Sequence, residues 1–236
     1  MEQAPNRKMI GILGGMGPEA SAYFYNLLIK LAHTKYGAVQ DTDFPPVFIY
    51  NLTLHGFDET GIVNELLVEK QLVEGVRKLE SAGSNFIIIA CNTVHTLYDS
   101  MQDSVNVPII SIIDETVAEV KRKGFKSVGI LSSESTNTTG LYRNKLEAEG
   151  IVVFSADSRQ QGELNQIILH VMAGQQSALD KKMASTVISE LTERGAEAII
   201  LGCTELPLAI EQSDSRVPVL NSNEIIVDRA LAIAFS

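Results

Sequence analysis

Cysteine is nearly missing from this chain: only Cys91 and Cys203 occur in 236 residues. Two thiols 112 positions apart do not make the disulfide scaffold on which small secreted domains depend, and neither belongs to a C-x-x-C redox pair. No apolar run approaches the roughly 18 residues that cross a bilayer. The opening residues Met1–Lys8 are polar, and Met9–Leu13 is too short for the core of a secretory signal. Positive charge is scarce as well, with 19 Lys and Arg against 29 Asp and Glu and a formal charge of −10. Nucleic acids and anionic membranes need a basic footprint and are poor partners for such a chain. Only 20% of residues are charged and 45% are hydrophobic, which excludes disorder and a coiled coil. The expectation is a soluble cytoplasmic protein of one large domain or two small ones.

What the chain does contain is one stretch written twice. Asn85–His95 reads N-F-I-I-I-A-C-N-T-V-H, and Glu197–Pro207 reads E-A-I-I-L-G-C-T-E-L-P. Each is a short apolar run, a small residue, a cysteine, and then polar residues able to start a helix. Continuous apolar runs of this length suit strands covered on both faces.

Taken in order, strands are expected at Lys8–Leu13, Pro46–Leu52, Phe86–Ala90 and Val107–Ile112. A second series follows at Ser127–Leu131, Ile151–Phe154, Ala198–Leu201 and Val217–Leu220. Helical periodicity lies between them, as at Leu66, Leu72, Val76 and Leu79. Strands alternating with helices predict an α/β protein of doubly wound, mostly parallel sheets. Gly11-Ile12-Leu13 matches Gly129-Ile130-Leu131 at an offset of 118, the cysteine strands match at 112, and Val107-Pro108 matches Val217-Pro218 at 110. Three ordered matches with a slowly drifting offset predict a duplicated unit. We therefore expect two pseudo-symmetric flavodoxin-like halves, each with a four-stranded sheet: residues 1–113 plus 222–236, and residues 114–221.

In open parallel sheets, ligands bind beyond the carboxyl ends of the strands. Cys91, Cys203, the Gly14–Pro18 loop, the Ser132–Asn137 loop and Asn51 all fall at such ends, so two facing halves place them on one cleft. A lone cysteine is most simply a small buried hydrophobe; a pair at matching strand ends points to chemistry. Moving a proton off one face of a carbon and returning one to the other face needs two groups that exchange roles. A free thiol has a pKa of about 8.5, and a helix N-terminus after each cysteine is expected to lower it. Gly15-x-Gly17-x-x-Ala20 fits a dinucleotide fingerprint formally, but Pro18 sits inside it and no acid closes the second strand. Cys91 and His95 are half a metal site without a second pair. Ser132, Ser133 and Ser135 read as loop and cap residues.

G-I-L-G-G-M-G-P-E-A, A-C-N-T-V-H and L-G-C-T-E-L-P-L together resemble the aspartate/glutamate racemase family along the whole chain. The resemblance implies amino-acid racemisation without pyridoxal phosphate, cofactor or metal, by two cysteines on opposite faces of Cα. It implies Cys91 and Cys203 as the acid/bases. Met16, Asn51, Asn92, Thr93, Thr136 and Thr204 would bind the α-carboxylate and α-amino group, in a homodimer. Aspartate or glutamate is the expected substrate; a related racemase of another amino acid and a non-catalytic binder of small acids are the alternatives. Better-known aspartate racemases hold the side-chain carboxylate with an arginine after the second strand and a lysine in I-K-x-G. Here no Lys or Arg lies between Lys35 and Lys70, and Met172 stands at the lysine position. His55 and backbone N–H groups are the remaining candidates for that task.

Overall fold

The computed structural model of the chain describes residues 7–58 and 61–236. The first half runs β1 (Ile10–Gly14), α1 (Pro18–Tyr36), β2 (Val47–Asn51), the hairpin β3 (Phe57–Asp58) and β4 (Gly61–Ile62), α2 (Glu65–Ser81), β5 (Phe86–Ile89), α3 (Tyr98–Gln102), β6 (Ile109–Ile110) and α4 (Ile112–Lys123). The second runs β7 (Ser127–Leu131), α5 (Glu134–Thr138), α6 (Leu141–Ala148), β8 (Val152–Ser155), α7 (Ser158–Met172), α8 (Ala178–Glu193), β9 (Ala198–Leu201), β10 (Val219–Asn221) and α9 (Ser222–Ala234).

The two large sheets are all parallel, in the orders β2-β1-β5-β6 and β8-β7-β9-β10. The topology is the same in both, and so is the register. Ile10 faces Val47 and Phe86, and its counterpart Val128 faces Val153 and Ala198; Ile87 faces Ile109, and Ile199 faces Val219. The glycines that open the matching G-I-L triplets share a cause. A Cβ on Gly11 would come within 2.6 Å of Ser84 Oγ and 3.2 Å of Ile87, and one on Gly129 within 2.6 Å of Ile199. In each half the central strand thus yields space to the same branched side chain of its neighbour.

Burial follows the period of two along each strand. Phe86 and Ile88, with Ala198 and Ile200, enter one core continuous across both halves, together with α1, α4, α6 and α9. Ile87 and Ile89 turn the other way onto α2, and Ile199 and Leu201 onto α7 and α8. Each of these fully buried branched side chains stabilises the fold by about 1.5–3 kcal/mol. The closing helices are exchanged: α9 packs on α1 of the first half, while α4 packs on α6 of the second. Among the described residues no helix is long and apolar enough to cross a membrane.

Several local expectations change. The expected strand Val107–Ile112 is cut to two residues, because Ser111 caps α4 by accepting the Asp114 N–H and helix begins at Ile112. The loop after β2 contains the β3–β4 hairpin, with Asp58 facing Gly61. α7 starts four residues before Gly162, at a reciprocal cap between Asp157 and Gln160.

Candidate active site

Cys91 and Cys203 stand just beyond the ends of β5 and β9, held in the same way. Ala90 N–H donates to Leu13 O at 2.9 Å, and Gly202 N–H donates to Leu131 O at 2.7 Å. Each bond ties the residue before a cysteine to the end of the central strand, which aims both thiols past the sheet edge. They line one cavity of about 160 Å³, the liquid volume of roughly five waters. Around them are Met16 and Gly17 from the β1–α1 loop, Asn92 and Thr93, Ser133, Thr204 and Glu205. Gly15 N–H donates to Ser21 Oγ at 2.8 Å, and Ser21 Oγ–H donates to Gly17 O at 2.9 Å, so the first helical turn of α1 braces that loop.

Of the residues expected to contact substrate, Met16, Asn92, Thr93 and Thr204 lie in the cavity wall, and Asn51 and Thr136 do not. Asn51 ends the edge strand β2 and is exposed. Thr136 is a second-row support, with its hydroxyl 3.0 Å from those of both Thr93 and Ser133. Ser133 caps α5, as a loop residue should, and also reaches the cavity. His55 does not line the cavity, and its backbone N–H and C=O are tied to Gln71. Glu59 and Thr60, in the loop expected to recognise the side chain, lie outside the described residues.

The expectation of thiols acidified by helix N-termini is overturned. Only short 3-10 turns follow the cysteines, Thr93–Leu97 and Leu206–Leu208, so the dipole is small and desolvation dominates. Burial pushes the Cys91 thiol up to about 12, against the N–H groups of Val94 and Thr93 and the Thr93 hydroxyl, which favour its thiolate. Cys203 is raised well above the ordinary thiol value by burial, and then by the Glu205 carboxylate beside it. Cys203 Sγ–H donates to Glu205 Oε2 at 3.1 Å; Thr204 Oγ1–H donates to the same oxygen at 3.0 Å, and Gly17 N–H to Glu205 Oε1 at 3.2 Å.

His95 is a brace for the first motif. It is buried, and its Nδ1–H donates to Cys91 O at 2.9 Å while Nε2 faces the Ile112 N–H at 3.4 Å. Desolvation lowers its pKa to about 4, which keeps the ring neutral. Tyr142 Oη–H donates to Asn92 Oδ1 at 2.5 Å. Asn92 Nδ2 makes no hydrogen bond among the described residues and is a free donor beside the cavity. Sequence reasoning saw Glu205 only as a helix start. Its signal was the duplication itself, since an offset of 112 lays Glu205 over Thr93.

The chain is similar over its length to known proteins. The broad specificity amino-acid racemase RacX of Bacillus subtilis is 31% identical over 215 residues, covering 91% of this chain and 93% of that one. The solved structure of an aspartate racemase homologue from Pyrococcus horikoshii matches with a TM-score of 0.83 and 33% identity, covering 97% and 100% of the two chains. Aspartate racemase from Picrophilus torridus matches with a TM-score of 0.78 and 25% identity, over 95% and 94%. The profile of the Asp/Glu/Hydantoin racemase family matches residues 13–230. With its two equivalent sheets and a buried thiol at the end of each, the chain belongs to the Asp/Glu/Hydantoin racemase family and is an amino-acid racemase, an isomerase.

Proposed function

We propose that this racemase works by two bases, with Cys91 and Cys203 on opposite faces of the substrate Cα. The observation that carries this is the placement of two buried thiols at equivalent strand ends in one small cavity. One sulfur, as thiolate, takes the Cα proton. The other, as thiol, delivers its own proton to the opposite face. Each cycle leaves the two sulfurs with exchanged roles, and the reverse reaction restores them.

The two thiols are not equivalent. The N–H groups of Val94 and Thr93 favour the Cys91 thiolate, whereas Glu205 accepts a hydrogen bond from the Cys203 thiol. A donor favours thiolate and an acceptor favours thiol, so Cys91 is the sulfur that ionises first. Among the described residues the cavity lining holds no Lys, Arg or His, and the Glu205 carboxylate stands beside Cys203. The ammonium group of a bound amino acid is therefore the cation that enters the site, and it offsets the burial that raises both thiols. Asn92 Nδ2, which makes no hydrogen bond among the described residues, is the donor suited to the α-carboxylate, the group on which charge builds as the proton leaves. Aspartate and glutamate are the substrates named by the family; a homodimer is the assembly its resemblance implies.

Incubation with an amino-acid panel in deuterated water, without added cofactor, tests this. Cα deuteration and loss of optical activity are expected in the native protein and absent from both Cys91→Ala and Cys203→Ala. Full activity in either variant excludes the two-base scheme.

A further inference from the structure

The geometry points to a substrate whose side chain carries no negative charge: an aliphatic stem, ending neutral or cationic, in preference to aspartate or glutamate. The inference rests on the racemase reading of the same cavity. With Cα between the thiols, Asn92 Nδ2 serves the α-carboxylate, and Glu205 lies on the side of Cys203. The remaining substituent faces the wall built by the β2–α2 connection and α7. That wall is Leu54, Phe57, Asp58, Ile168 and Met172. Four of these are apolar, and the fifth is an acid.

The lack of positive charge is a property of the segments as well as of the wall. No Lys or Arg lies between Lys35 and Lys70, and none lies between Arg159 and Lys181. The histidines of the two segments are engaged elsewhere: His55 is outside the lining, and His170 Nδ1 is 2.7 Å from Asp180 Oδ1. A side-chain carboxylate bound here is stripped of water against a largely apolar wall with no Lys, Arg or His among the described lining residues, which burial makes strongly unfavourable. An aliphatic stem meets Ile168, Met172, Leu54 and Phe57 and loses only water. The mouth near Met172, 44% exposed, leaves room for a longer chain to reach solvent.

The test compares kcat/KM for Cα deuteration of L-methionine, L-leucine, L-lysine and L-arginine with that of L-aspartate and L-glutamate. The best non-acidic substrate is expected to exceed both dicarboxylates by at least about a hundredfold. Met172→Lys places an ammonium on the wall at a half-exposed position and is expected to raise aspartate or glutamate turnover relative to methionine at least about tenfold. Aspartate or glutamate preferred by the native protein overturns the inference, as does a Met172→Lys variant with unchanged preference. Binding of L-methionine and L-aspartate to Cys91→Ala, by calorimetry, separates the two readings. Methionine bound without any Cα exchange in the native protein leaves the subsite standing and sinks the racemase mechanism; aspartate bound more tightly sinks the subsite.

Discussion

His95→Gln isolates one buried ring. In the native protein the His95 pKa falls from the usual 6.5 to about 4, chiefly through desolvation. In the unfolded chain it returns to the usual value. Between pH 6.5 and 4 the unfolded state therefore binds a proton that the folded state refuses, so stability falls as the solution is acidified through that window. The drop is worth about 3 kcal/mol by pH 4, at the usual conversion of pKa to free energy. Glutamine can donate to Cys91 O and accept from the Ile112 N–H but does not titrate. Urea denaturation at pH 7, 5.5 and 4 is expected to show the native protein losing about 3 kcal/mol more than the variant over that range. Carboxylates such as Asp180, whose pKa is lowered with its hydrogen bonds to His170 and Ser177 outweighing burial, titrate in both proteins and cancel in the difference. Parallel pH curves for the two proteins refute the buried neutral histidine.

Two further outcomes follow from the site and its supports. Gly15→Ala puts a Cβ 2.1 Å from Leu52 O at a backbone φ of +99°, whereas a Cβ on Gly124, φ +78°, meets nothing within 4 Å. The first is expected to cost upwards of about 3 kcal/mol and the second about 1 kcal/mol in urea denaturation, and equal costs would show that close approach is not the constraint. Cys91→Ala is expected to flatten the alkaline stability curve: the native thiol holds its proton to about 12 and the unfolded one releases it near 9, so stability falls as pH rises across that window. The native protein should lose roughly 3 kcal/mol more than the variant by pH 11, and identical alkaline slopes would show that Cys91 is not held protonated.

The strand pattern was legible because each run obeys a simple rule. Phe86–Ile89 and Ala198–Leu201 are apolar on both faces, and only a strand covered on both sides needs that. The duplication, inferred from drifting offsets between the halves, reappears in the identical sheet orders and registers. Met16, Asn92, Thr93 and Thr204 line the cavity, as neighbours in sequence of the glycine loop and the cysteines. Asn51 and Thr136 do not line it, since position at a strand or loop end does not say which way a side chain turns. The wall of Leu54, Phe57, Ile168 and Met172 was only half visible, because it joins a loop of one half to a helix of the other.

The sequence by itself determined the fold class, the repeat and the two thiols, since each follows from local pattern and residue chemistry. Only the tertiary structure decided how those thiols behave. A helix start in the sequence promised acidic cysteines, and burial reversed the sign, because taking a thiolate out of water costs more than one short 3-10 turn returns. It also decided that backbone N–H groups favour the thiolate at Cys91 while a carboxylate, Glu205, accepts from the thiol at Cys203. Donor and acceptor directions depend on where side chains meet in space, and two nearly equal sequence motifs cannot specify them.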